Sequence, residues 1–155
     1  MLHPTIVLNI GIPLESPPAL RLPLFATRVP AGFPSPADDY IAERLDLNDL
    51  LVEHPSATFF FRVQGHSLTG IGIHDADYLS VDRSVEAVSG DVVVAAVDSD
   101  FTVKVLAVDR DGVRLEARNP DYSDIKILNP DLLTIWGVVT GVIRKTARVR
   151  LGRRQ

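Results

Sequence analysis

Hydrophobic and polar positions divide the chain into three textures. Over residues 1–36 apolar residues recur without a helical or strand period, broken by Pro4, Pro13, Pro17, Pro18, Pro23, Pro30, Pro34 and Pro36. Proline removes a backbone donor and fixes φ, so this stretch is excluded as a helix or a central strand. It reads as an extended arm, with Leu20, Leu22, Leu24, Phe25, Val29 and Phe33 needing something to dock on. An arm of this kind has the geometry of a protease substrate. Ser35-Pro36-Ala37-Asp38 then offers an N-cap, a proline at the first helical position and acids in the first turn. Tyr40, Ile41 and Leu45 supply an apolar stripe. A second cap at Asp46, with Asp49 three residues on, precedes Leu47, Leu50 and Leu51. Two short helices are predicted between 36 and 53.

From residue 57 the pattern turns to β. Seven runs are predicted as strands: Thr58 to Val63, Tyr78 to Val81, Val92 to Val97, Phe101 to Val108, Val113 to Ala117, Ile125 to Leu128 and Ile135 to Ile143. The nearly continuous valine and alanine of 92–97 predicts a strand buried on both faces. Asp98-Ser99-Asp100 and Asp111-Gly112 are tight turns between neighbouring strands. The expected fold is mainly β, a small sandwich or partial barrel, with two short N-terminal helices and the extended arm. The strand 135–143 is apolar enough for a dimer edge, although a core strand is the simpler assignment, with Trp136 in the core.

Composition narrows the classes. The 155 residues suit one compact domain, or one domain plus a tail. The chain has no cysteine, which excludes disulfides, cysteine zinc sites, iron–sulfur clusters and a cysteine nucleophile. The net charge of -4 argues against a dedicated nucleic-acid binder. That total hides an acidic body and six bases without an acid in residues 144–155. The basic end is a solvated tail, or a contact for DNA or an acidic partner. No apolar run approaches the roughly 20 residues that span a membrane, and no basic region precedes a signal-like segment. The expectation is a cytoplasmic protein.

Candidate chemistry clusters around Gly65-His66-Ser67-Leu68-Thr69-Gly70-Ile71-Gly72. A serine between glycines after a strand can present its hydroxyl and backbone amides, as a nucleophile and oxyanion hole require. The spacing is G-x-S-x-x-G, not the esterase G-x-S-x-G, and a glycine-rich turn with a solvated serine fits equally. A histidine base fits poorly: His66 adjoins the serine, His74 is seven residues on, His3 lies in the arm, and His54 reads as a helix-end residue. His66, His74, Asp75 and Asp77 match no metal-ligand spacing, so no metal is expected. Lys104 is more informative. It is one of three lysines and sits in Phe101-Thr102-Val103-Lys104-Val105-Leu106, with Asp100 and Asp109 as the nearest acids along its strand. A lysine buried without a partner favours its neutral form. At its free pKa, under about one in a thousand is neutral at pH 7. A shift of about three units costs roughly 4 kcal/mol, which burial can supply. The alternative is an edge-strand lysine whose stem packs while its head reaches water.

Several segments resemble the UmuD proteins, SOS-response relatives of the LexA repressor's C-terminal protease domain. They are Phe33-Pro34-Ser35-Pro36-Ala37-Asp38-Asp39-Tyr40, Leu45-Asp46-Leu47-Asn48, His54-Pro55-Ser56-Ala57-Thr58, Gly90-Asp91-Val92-Val93-Val94-Ala95-Ala96-Val97-Asp98, Phe101-Thr102-Val103-Lys104, Asn119-Pro120-Asp121-Tyr122-Ser123 and Gly137-Val138-Val139. The resemblance covers about residues 22–145. It implies a Ser-Lys dyad peptidase of the S24 class, with Ser67 as nucleophile, Lys104 as general base and the backbone N–H groups of Ser67 and His66 as oxyanion hole. It implies self-cleavage between Ala31 and Gly32, a small residue followed by glycine. Domains follow as 1–36 arm, 37–145 peptidase and 146–155 basic tail. The implied partners are a second copy in a homodimer, the RecA–single-stranded DNA filament and a UmuC-type Y-family DNA polymerase; no cofactor is implied. Where the family has an acid and a methionine around the serine, this chain has His66 and Leu68. A LexA-type repressor would need a helix-turn-helix that residues 1–36 do not encode, and a signal peptidase would need a membrane anchor. A non-enzymatic accessory module with a vestigial site is the remaining alternative.

Overall fold

The computed structural model describes residues 8–11, 18–25, 29, 31–32 and 41–146. Ten strands are defined there. They are β1 (Leu8–Gly11), β2 (Leu22–Phe25), β3 (Ile41–Leu45), β4 (Thr58–Arg62), β5 (Tyr78–Asp82), β6 (Val92–Val97), β7 (Asp100–Asp109), β8 (Gly112–Glu116), β9 (Ile125–Ile127) and β10 (Leu133–Ile143). One short helix, α1 (Leu47–Leu51), and two 3₁₀ turns accompany them. Eight strands form one sheet in the order β1-β4-β5-β10-β6-β7-β8-β9, and β2 and β3 form a separate pair. Every pairing among them is antiparallel.

The seven strands expected from the pattern are β4 to β10. β6 follows its predicted bounds, and its burial on both faces has a structural reason. Val94 packs with Phe61, Leu79, Val81, Val103 and Val105, whereas Val93 and Ala95 pack with Leu106, Leu115 and Val138 on the other side. Side chains of β4 and β7 share the first cluster although three strands separate them in the sheet. The sheet therefore curls, and β6 and β7 are walls common to two cores. Each fully buried Leu or Val contributes about 1.5–3 kcal/mol relative to exposure. Trp136 packs on the first cluster, edge-on to Phe59 and Phe61, with the Arg83 guanidinium 4.6 Å from its ring.

β10 lies between β5 and β6, inside the sheet rather than at a free edge. Its register shifts next to Gly137 and Gly141, and bulges of this kind bend a strand. A Cβ on Gly137 would stand 2.8 Å from Val81 Cγ1 and 3.0 Å from Asp82 O, so only glycine fits against β5 there. The β6–β7 turn places both Asp98 (φ 49°) and Ser99 (φ 74°) in the left-handed region, as a two-residue hairpin with right-handed twist requires.

The N-terminal region corrects the expectation of two helices. Ile41–Leu45 is a strand, β3, held by β2 with Leu22 opposite Leu45 and Leu24 opposite Glu43. Residues 36–40 lie outside the described residues. Only the second helix forms among those described, and Asp46 caps it by accepting from the Asn48 N–H at 2.9 Å. The same residue's carboxylate accepts from the Leu20 N–H at 2.8 Å, tying the arm to the helix start. Backbone N–H groups of Asn48 and Leu20 hold Asp46 below the usual carboxylate range.

His54 is a structural residue whose partner is strand β5 rather than the helix end. Its Nδ1 lies 2.6 Å from Asp82 Oδ2. The bond to Asp82 raises the His54 pKa above its ordinary value. Burial pushes Asp82 up, but hydrogen bonds from Ser84 and His54 outweigh burial and hold it below the usual range. The pair therefore contributes most between the lowered Asp82 value and the raised His54 value. As pH rises through the His54 native value the proton is lost, and with it that stability. Urea titrations of the native chain and His54→Gln at pH 6 and pH 8 should show a stability component that falls with rising pH in the native chain and is missing in the variant.

Candidate active site

Ser67 and Lys104 are 37 residues apart in sequence, and the fold brings them together. Lys104 Nζ donates to Ser67 Oγ across 2.8 Å, with longer bonds to Thr102 Oγ1 (3.4 Å) and Val103 O (3.3 Å). Ser67 is 1% exposed and Lys104 5%. Strand alternation places Thr102, Lys104 and Leu106 on one face of β7, with Lys104 opposite Val93 of β6. The amine is thus set in an apolar wall, where two hydroxyls and a carbonyl accept from it.

Burial pushes the Lys104 pKa down from 10.5 to about 8, with the charge of Asp124 opposing the shift. Asp124 is remote from the strand of Lys104 in sequence, where Asp100 and Asp109 are the nearest acids. Asp109 instead pairs with Arg114 at 2.8 Å. Asp124 also accepts from the Ala117 N–H at 2.9 Å, so its charge is held near the lysine by the segment after β8.

The serine sits on a loop whose shape depends on glycine at specific points. Gly65 (φ 102°) and Gly72 (φ 84°) turn the chain before and after it. Thr69–Ile71 forms a 3₁₀ turn between them, and Leu68 anchors it in the first core cluster. A Cβ on Gly70 would stand 2.2 Å from Arg118 O, so the chain must lack a side chain there to pass this close. The Gly70 N–H donates to that carbonyl at 2.6 Å, and the Arg118 N–H donates to Ser67 O at 2.7 Å. Asn119 Nδ2 donates to His66 O at 2.8 Å. Arg118 and Asn119 therefore pin both peptide planes flanking Ser67.

The remaining histidines and acids have other places. His66 and His74 are exposed. The Asp75 carboxylate accepts from the Gly65 N–H at 2.8 Å, and Asp77 is bound by Arg144. Among the described residues, no group of three or more His, Cys, Asp or Glu is arranged to hold a metal ion. Ala31 and Gly32 are exposed in the connection between β2 and β3, in contrast to the buried Ser67. Sequence reasoning missed Thr102, Asn119 and Asp124 as neighbours of the pair. Period-two alternation on β7 could have found Thr102; the other two reach the site only through folding.

A family model described as Peptidase S24-like matches residues 23–140. SamA of Salmonella typhimurium is 44% identical over 140 residues, spanning 90% of this chain and 97% of SamA. MucA of Escherichia coli is 45% identical over 121 residues, spanning 77% of this chain and 82% of MucA. The LexA repressor of Xylella fastidiosa is 39% identical over 143 residues, spanning 92% of this chain and 66% of the repressor. The chain belongs to the S24 peptidase family, a serine peptidase family, as a UmuD-like member of its LexA/UmuD group. No helix among the described residues is long and apolar enough to cross a membrane.

The buried amine makes a stability prediction. Between about pH 8 and 10.5 the unfolded chain holds a proton at Lys104 that the native chain has released, so native stability rises with pH across that window. At pH 7 the buried charge costs up to about 3 kcal/mol. Lys104→Met should therefore unfold at higher urea concentration than the native chain at pH 7 and should lose the gain between pH 8 and 10.5.

Proposed function

We propose that the protein is an SOS-response serine peptidase that removes its own N-terminal arm, using Ser67 as nucleophile and Lys104 as general base. The observation that carries this is the 2.8 Å contact between a serine hydroxyl and a buried lysine whose pKa has fallen to about 8. At pH 7 about one lysine in ten is then neutral, against under one in a thousand for a free lysine.

Neutral Lys104 takes the Ser67 hydroxyl proton as Oγ bonds to the carbonyl carbon of Ala31. The oxyanion is received by the backbone N–H groups of Ser67 and His66. Support for the first donor comes from Asn119: it holds His66 O, and in a trans peptide this directs the Ser67 N–H to the opposite side. The tetrahedral species collapses, the Ala31–Gly32 C–N bond breaks, and protonated Lys104 gives its proton to the Gly32 amine. Water then attacks the acyl-serine with Lys104 as base, the ester C–O bond breaks, and the proton returns to Ser67. Ala31 suits a narrow pocket and Gly32 allows close backbone approach. The prolines on either side favour the extended substrate.

The bond is exposed in this arrangement, so cleavage requires the β2–β3 connection to enter the site. A RecA–single-stranded DNA filament would act by favouring that seated state, which shifts a population without adding chemistry. The trimmed chain, as a cytoplasmic homodimer, would serve a UmuC-type Y-family polymerase in translesion synthesis. A vestigial site is disfavoured, because a buried lysine costs stability and is retained here against a serine.

Intact-mass analysis of the purified full chain at pH 7 and pH 10 should reveal a species beginning at Gly32. It should form about ten times faster at pH 10, when the lysine is neutral, and be absent in Ser67→Ala and Lys104→Ala. RecA with single-stranded DNA should accelerate the pH 7 reaction; an unchanged mass under all three conditions would overturn the proposal.

A further inference from the structure

Arg144 opens the basic C-terminal run in sequence, yet its guanidinium is not part of a solvated tail. It reaches back 67 residues to Asp77, where Nε donates to Oδ1 at 2.6 Å and Nη2 donates to Oδ2. The same Nη2 donates to Gly72 O at 2.6 Å. Asp77 is 1% exposed. Its Oδ2 also accepts from the His74 N–H at 2.8 Å, and its backbone carbonyl accepts from the Val63 N–H just past β4. The carbonyl that Arg144 holds belongs to the residue that closes the serine loop. The Gly72 N–H donates to Thr69 O, while the Ile71 and Ile73 N–H groups both donate to Leu68 O. Leu68 follows Ser67 directly. One planar fork thus links the end of β10, the buried acid and the loop exit.

We propose that Arg144 is a positioning residue for Ser67, acting through Asp77 and Gly72 rather than touching the reacting atoms. The inference rests on the Ser67–Lys104 reading above. Arg118 and Asn119 fix the loop from the side of His66 and Ser67, and Arg144 fixes it from the far end. A loop held at one end only would let the hydroxyl drift from the lysine, and a misplacement of about 1 Å can cost on the order of a hundredfold in rate.

The test compares Arg144→Ala, Arg144→Lys and Asp77→Asn with the native full chain in self-cleavage, thermal melting and amide hydrogen exchange. In Arg144→Ala, cleavage should fall at least tenfold while the pH midpoint set by Lys104 stays where it is. Exchange at Ile71, Gly72 and Ile73 should quicken at least tenfold. Guanidinium ion at millimolar concentration should restore part of the rate in Arg144→Ala and none in Asp77→Asn. Arg144→Lys keeps the charge but cannot span both acceptors, so its rate should fall between those of the native chain and Arg144→Ala; a native rate in Arg144→Lys overturns the clasp even where Arg144→Ala does not fold. Equal cleavage in the native chain and Arg144→Ala, or a lost rate that guanidinium does not restore, overturns the clasp and leaves the dyad standing. A native chain inert at every pH overturns the reading on which the clasp rests.

Discussion

Everything at the candidate site depends on one buried amine. Lys104 loses the hydration of its charged form in the wall between β6 and β8, and this desolvation lowers its pKa to about 8. The hydroxyl of Ser67 then becomes a partner that a neutral amine can deprotonate. The cost of that desolvation falls on the fold as a whole. Two cores on opposite faces of β6 and β7 offset it.

On the serine side, backbone carbonyls and N–H groups are the points at which the loop is held. Gly70 passes so close to Arg118 O that no Cβ fits, and both peptide planes around Ser67 are held by Arg118 and Asn119. Placement of Ser67 is therefore a property of two crossing segments, joined by backbone contacts and by the Asn119 amide. The arm, by contrast, is bound at separate points. β1 pairs with β4, β2 pairs with β3, and Asp46 grips Leu20, while Ala31 and Gly32 stay exposed between β2 and β3. An exposed segment tethered on both sides suits the proposed self-cleavage, which waits for a signal.

Much of this is legible in the sequence. Apolar, β-branched and aromatic runs bounded by turn residues mark β4 to β10, since each strand's own side chains carry its burial. Ile41–Leu45 reads as helix because its apolar spacing suits either form, and pairing with β2 decides it. β1 and β2 are hidden by prolines, yet Pro23 is tolerated in β2, which has a single partner strand. The glycine-flanked serine and the lysine in an apolar strand are both visible as candidates. Their 2.8 Å contact is not, nor are the Asp124 charge, the His54–Asp82 pair and the Arg144–Asp77 clasp. These join residues far apart in sequence, and Arg144 in particular reads as part of the tail because its neighbours are basic.

Burial that keeps Lys104 partly neutral near neutral pH is the condition on which the proposed chemistry stands. Its most direct test is an NMR titration of the Lys104 side-chain amine in a full chain carrying Gly32→Glu, which leaves Ser67 and Lys104 in place and blocks the bond. A midpoint near 8 is predicted. A midpoint at the free-lysine value of about 10.4 would contradict it, since the amine would then be charged throughout the range in which the serine must be activated.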